Sequence, residues 1–203
     1  TDGGLRLPIT MQPHESHFIV FSDEHSEALE DGYAENFPTH EKISTVSASW
    51  EVEFENKDIG PAQPVQMTRL SDWSEHEDPL VKHYSGTATY RASFYLGQDA
   101  DESDRFLNLG TLGVMAEVSI DGEYIGASWL APHRVKIPAS VEVGDHQLEI
   151  KVVNLWRNQL VKDAALPEEE RYTWLVESDV DPEEALQPSG LIGPVTVELI
   201  RRK

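Results

Sequence analysis

Val114-Met-Ala-Glu-Val-Ser-Ile-Asp-Gly-Glu-Tyr124 reads as two strands around a tight turn. Asp121-Gly122 stands between Ile120 and Tyr124, and a two-residue hairpin demands the positive φ that glycine tolerates. Outward from this hairpin the pattern repeats. Upstream, Thr87–Leu96 is rich in β-branched and aromatic residues, and 106–109 is a shorter apolar run. Downstream come Arg134–Ile137, then 146–153 after Val143-Gly-Asp145, and finally 195–200 behind the turn Pro188-Ser-Gly-Leu-Ile-Gly-Pro194. Nearer the N-terminus, Val46, Ala48, Trp50, Val52 and Phe54 alternate with Ser47, Ser49, Glu51, Glu53 and Glu55. That period of two marks a half-buried strand.

Strands therefore recur every roughly 8–15 residues, and no segment carries helical periodicity beyond one or two turns. The acidic piece 167–186 has room for a short helix. The expected fold is all-β: an antiparallel β-sandwich of jelly-roll type. Residues 1–42 read as an N-terminal extension or linker holding one strand, His17-Phe-Ile-Val-Phe21, and an acidic polar stretch from Ser22 to Glu41. Residues 43–203 form the sandwich.

Composition narrows the function classes. The 203 residues include 37 acidic and 16 basic ones, a net charge of −21, which argues against DNA, RNA and anionic membranes as partners. The same charge favours a monomer. There is no cysteine, hence no disulfide, thiolate nucleophile or cysteine zinc site. No apolar stretch approaches the ~20 residues that span a bilayer. The first residues carry neither an initiating Met nor a signal pattern, so the chain reads as a fragment or a mature product. No nucleophile elbow, His-Glu-x-x-His helix or phosphate loop is present, and no catalytic residue is assigned.

The chemistry-bearing stretch is Asn154-Leu-Trp-Arg-Asn-Gln-Leu-Val-Lys-Asp163. A strand ending in an aromatic, amides and a carboxylate suits a sugar: the ring face stacks on pyranose C–H groups while the polar groups replace water at the hydroxyls. Trp156, Arg157 and Asn158 are the leading candidates, with Asp163 orienting Arg157 or accepting a sugar hydroxyl. The competing reading makes Trp156 a core lid. Trp50 and Phe54 belong to the core, and Trp73 to a cap over the sandwich.

An ordered set of phrases carries a family resemblance. Ser85-Gly-Thr-Ala-Thr-Tyr-Arg91 is followed by Leu107-Asn-Leu-Gly-Thr-Leu-Gly-Val-Met-Ala-Glu-Val118, Ile120-Asp-Gly-Glu-Tyr-Ile-Gly126 and Trp129-Leu-Ala-Pro-His133. The Asn154–Asp163 stretch and Ser189-Gly-Leu-Ile-Gly-Pro194 complete it. Together they resemble the C-terminal sandwich domain of family 106-type α-L-rhamnosidases and, more loosely, the jelly-roll domain of family 2 glycosidases. Both have the galactose-binding-like fold. The chain departs from the pattern at Gln159, where Arg is expected, and at Val161-Lys162, where Ile-Gly is expected.

The resemblance implies a parent enzyme, secreted or periplasmic, that cleaves rhamnose-containing glycans with carboxylates on an upstream barrel absent from this chain. The present chain would then be a non-catalytic carbohydrate-binding domain, or a structural domain bracing that barrel. It also implies that Trp129 and His133, in the loop before Arg134–Ile137, neighbour the binding end. Galactose-binding-like domains often hold a structural Ca²⁺, for which Asp99-Ala-Asp-Glu-Ser-Asp104 is the superficial candidate. That stretch lacks the glycine an EF-hand loop needs at its sixth position, so a solvated hairpin is the plainer reading.

Overall fold

The computed structural model describes residues 39–46, 49–98, 104–175 and 179–200, with isolated positions 9, 11, 16, 18 and 19. The strand expected within 17–21 falls mostly outside the described residues. The elements in chain order are β1 (Glu41–Thr45), β2 (Trp50–Phe54), β3 (Val65–Met67), helix α1 (Pro79–Lys82), β4 (Thr87–Leu96), β5 (Asp104–Asn108) and β6 (Thr111–Leu112). They continue as β7 (Met115–Ile120), β8 (Glu123–Ser128), β9 (Arg134–Ile137), β10 (Gly144–Val153), helix α2 (Arg157–Ala164), β11 (Leu191–Gly193) and β12 (Thr196–Ile200).

Two open sheets face each other. One has the order β3-β2-β4-β10-β7-β8, the other β1-β12-β5-β9, and β11 pairs with β6 in a small third ladder. The ladders between these strands are antiparallel. The jelly-roll expectation holds: the last strand inserts between the first and the fifth, so the chain crosses repeatedly between layers. The Asp121-Gly122 hairpin forms as read, with φ of 52° and 82°.

Alternation builds the core. Trp50, Val52 and Phe54 of β2, Tyr90 and Phe94 of β4, Val118 of β7 and Leu148, Ile150 and Val152 of β10 point inward. They meet Leu107, Val135 and Val197 from the opposing sheet. Each fully buried large aliphatic or aromatic side chain contributes about 1.5–3 kcal/mol relative to exposure. Trp73 lies inside this core rather than capping it. It is fully buried, parallel to Tyr90 at 6.1 Å between ring centroids and tilted onto Phe54 at 5.0 Å.

Two elements depart from the expectations. Strand β1 begins at Glu41, inside the stretch read as linker and two residues before the expected boundary at 43. Its five residues are all exposed, so no apolar alternation announces it, and the backbone ladder to β12 holds it at the sheet edge. Helix α2 occupies most of the stretch read as a sugar-facing loop. Among the described residues of the acidic 167–186 region a single 3₁₀ turn, Glu168–Glu170, forms. Among the described residues no helix is long and apolar enough to cross a membrane.

Candidate functional site

The two segments singled out in the sequence, 129–133 and 154–163, leave the larger sheet at the same end. Ser128 of β8 and Val152 of β10 are both register partners of Ala116 on β7, the strand between them. Two strand spacings set them about 10 Å apart. The 129–133 loop leaves from one of these ends and the 154–156 segment from the other.

Trp129 is 66% exposed and Trp156 43% exposed, so neither ring is a core lid. The base of the first loop is tied down: the His133 ring Nδ1 lies 3.0 Å from the Ser128 hydroxyl, and the His133 carbonyl accepts from the Leu109 amide at 2.8 Å. Burial pushes the His133 ring below its ordinary value.

Trp156 has a partner that sequence reading missed. Tyr172 lies nearly parallel to it, 11° between planes and 6.2 Å between centroids. The Tyr172 hydroxyl accepts from Asn56 Nδ2 at 3.0 Å, which anchors the far end of the pair to the loop after β2. Both rings remain exposed, forming a fixed two-ring platform. No local spacing links positions 56, 156 and 172, so only the tertiary fold reveals it.

Arg157 pairs with Glu184, Nε donating to Oε1 at 3.0 Å and Nη2 to Oε2. The hydrogen bonds that Arg157 donates to Glu184 raise the guanidinium pKa further, against an opposing desolvation. Asp163 was expected to orient Arg157; Glu184 does so instead.

Asn158 and Asp163 are corrected to structural roles, because α2 turns both inward and each is only 3% exposed. Asn158 exchanges two hydrogen bonds with the backbone of Gln187. Asp163 accepts from Gln159 Nε2 at 2.8 Å and from the amide and hydroxyl of Thr173 at 2.7 and 2.5 Å. The helix thereby holds the segment that carries Tyr172.

The Pro188-Ser-Gly-Leu-Ile turn is clamped in the same manner. Asp72 Oδ1 accepts from the Ser189 amide at 3.0 Å, Asn154 Oδ1 from Gly190 at 3.1 Å, and the Tyr90 hydroxyl from Leu191 at 3.0 Å. The phrases that carry the family resemblance at this end are thus largely a hydrogen-bonded frame, and the aromatic surface stands on it. Among the described residues no group of three or more His, Asp or Glu is placed to share a metal ion, and Asp99 to Ser103 of the calcium candidate lie outside those residues.

No family model matches the sequence. It is 32% identical to a putative β-glucuronidase of Formosa agariphila, over 78% of this chain and 16% of that protein. The fold superposes on a rhamnosidase from Novosphingobium sp. PP1Y with a TM-score of 0.74 and 33% identity, covering 85% of this chain and 16% of that one. A β-D-glucuronidase of Dictyoglomus thermophilum shares the fold, with a TM-score of 0.52 and 21% identity over 83% of this chain and 29% of that one. The chain is therefore similar to one β-sandwich segment of much longer glycosidase-type proteins, and spans about a sixth of the first two.

Proposed function

We propose that this chain is a non-catalytic, carbohydrate-binding accessory domain of a larger secreted or periplasmic glycoside hydrolase resembling α-L-rhamnosidases. The observation that carries the reading is the Trp156–Tyr172 platform, two exposed rings held nearly parallel. Such a surface offers C–H stacking to a pyranose at little ordering cost, since both rings are already fixed. Trp129, two strand spacings away after β8, adds a further exposed ring, and the Arg157–Glu184 pair next to Trp156 in the chain supplies polar groups for hydroxyls. Shallow, water-competed contacts of this kind give about millimolar to micromolar affinity.

A second reading has its own support. Leu130, Leu155, Trp174 and Leu175 are exposed as well as the platform, and apolar side chains displayed in number are what a docking face presents. On that reading this end braces the catalytic part of the parent. Titration of the chain with L-rhamnose and rhamnose-containing oligosaccharides separates the two. Saturable heat that disappears in both Trp156→Ala and Trp129→Ala supports glycan binding. Absence of heat with every saccharide sinks it in favour of the brace.

A further inference from the structure

A groove of about 590 Å³ opens where the β1 edge of one sheet approaches the β2–β3 edge of the other, and neither Trp156 nor Tyr172 lines it. Val46, Trp50 and Val195 supply a buried apolar floor, and the exposed residues Ser49, Thr68 and Arg69 stand around it. Its volume is within the range of small-ligand sites.

Arg69 sets this groove apart. Arg91, Arg105, Arg134, Arg157 and Arg171 each donate to a carboxylate or a backbone carbonyl. Among the described residues Arg69 has no such partner, and neither do the Ser49 and Thr68 hydroxyls. In a chain of net charge −21, acidic side chains are abundant, yet among the described residues none pairs with this guanidinium. The guanidinium fork matches a planar carboxylate with two parallel hydrogen bonds. Hydroxyls beside it suit an oxygen-rich ring, and an apolar floor suits that ring's C–H face.

We infer that the Arg69 groove is a second ligand site, one that takes a carboxylated sugar with its carboxylate on Arg69. The sugar half of this inference rests on the glycan-binding reading above; the carboxylate half rests on Arg69 alone. A protein this acidic repels anions in general, so selectivity arises only where a fixed cation faces the ligand.

The test is ¹H–¹⁵N shift mapping of the 203-residue chain titrated at constant ionic strength with sodium D-glucuronate, D-glucose, sodium acetate and sodium sulfate. Saturable shifts at Thr68, Arg69 and Ile192 with glucuronate, weakened about tenfold or more by Arg69→Gln, support the site. Arg69 is exposed, so the substitution leaves the fold intact. Equal shifts with glucose overturn the carboxylate assignment, and equal shifts with acetate or sulfate overturn the sugar. No shift with glucuronate, or shifts unchanged in Arg69→Gln, overturn the site itself. In Trp156→Ala the glucuronate shifts are expected to persist; their loss would transfer the ligand to the other end. Failure with rhamnose but success with glucuronate would sink the platform reading alone.

Discussion

Asn158 closes a two-bond ring with the backbone of Gln187: its Oδ1 accepts from the amide and its Nδ2 donates to the carbonyl, both at 2.8 Å. A primary amide is the one side chain that imitates a β-ladder partner in this way, offering a donor and an acceptor side by side. Through it α2 is stapled to the turn that leads into β11.

Asn158→Ala removes both hydrogen bonds to the Gln187 backbone, which lies at the exposed rim and can turn to water, at a cost of about 1–2 kcal/mol. Asn158→Asp retains the acceptor but sets a carboxylate against the Gln187 carbonyl, so it should be no better tolerated. Urea unfolding of both variants checks this. A loss well under 1 kcal/mol in Asn158→Ala, with glycan binding abolished, would return Asn158 to the ligand site.

Gly190 has φ of +82°, and a Cβ built there lies 2.5 Å from Trp73 Cε2. Gly190→Ala therefore combines left-handed strain of about 1–2 kcal/mol with overpacking of about 1–3 kcal/mol. The expected loss is about 2–5 kcal/mol in chemical denaturation, with changed near-ultraviolet dichroism from Trp73. A variant as stable as the parent would mean that Trp73 yields without cost.

The sandwich was legible because strands that bury one face obey the period of two: β4 and β9 appear at the bounds read from sequence, and the Asp121-Gly122 turn is local chemistry. Strand β1 was not, since an exposed edge strand is specified by its partner's backbone and not by its own side chains. Helix α2 was hidden for a different reason. Its buried face carries Asn158, Gln159 and Asp163 beside Val161, so the amphipathic signal that normally betrays a helix is masked by polar residues. Reading those residues as a loop made them look available to a ligand. The two tryptophans were legible as candidates, but Tyr172 and Asn56 were not, because contacts over such separations leave no local pattern.

Glu198 predicts a loss of stability in acid. It lies on the face of β12 turned away from the core, where Asn108 Nδ2 donates to Oε1 at 2.6 Å and Arg134 Nε to Oε2 at 2.7 Å. His40 Nδ1 is 3.3 Å from the same Oε2 but is not aligned for a hydrogen bond. Burial pushes the carboxyl upward, yet the hydrogen bonds from Asn108 and Arg134 outweigh it and hold the group below its ordinary 4.5. A depressed carboxylate stabilises the fold above that value, and its contribution vanishes as pH falls through the folded pKa. Glu198→Gln should cost about 2 kcal/mol at neutral pH and flatten the stability profile below pH 4.5. An unchanged acid profile in the variant would remove Glu198 from that account.

Asp121 and His146 make the opposite kind of pair. The His146 ring Nδ1 lies 2.6 Å from Asp121 Oδ2, its Nε2 lies 2.8 Å from the Glu142 carbonyl, and Asp121 Oδ1 accepts from the Gln147 amide at 2.8 Å. The Asp121 hydrogen bond raises the ring above its ordinary 6.5, and the same bond, with the Gln147 amide, lowers Asp121 below 3.8. For the raised base the stabilisation is full below 6.5 and is lost as pH climbs through the folded value; for the lowered acid it is full above 3.8 and is lost as pH drops through its folded value. The pair thus acts fully between those ordinary values. Asp121→Asn isolates the charge, since Asn-Gly is an equally good turn and its Oδ1 can still accept from Gln147. In that variant the His146 titration, followed by NMR, should fall back toward the ordinary value, and the loss of stability on going to mildly alkaline pH should shrink. A His146 that titrates identically in both proteins would mean that Glu142, and not Asp121, holds its proton.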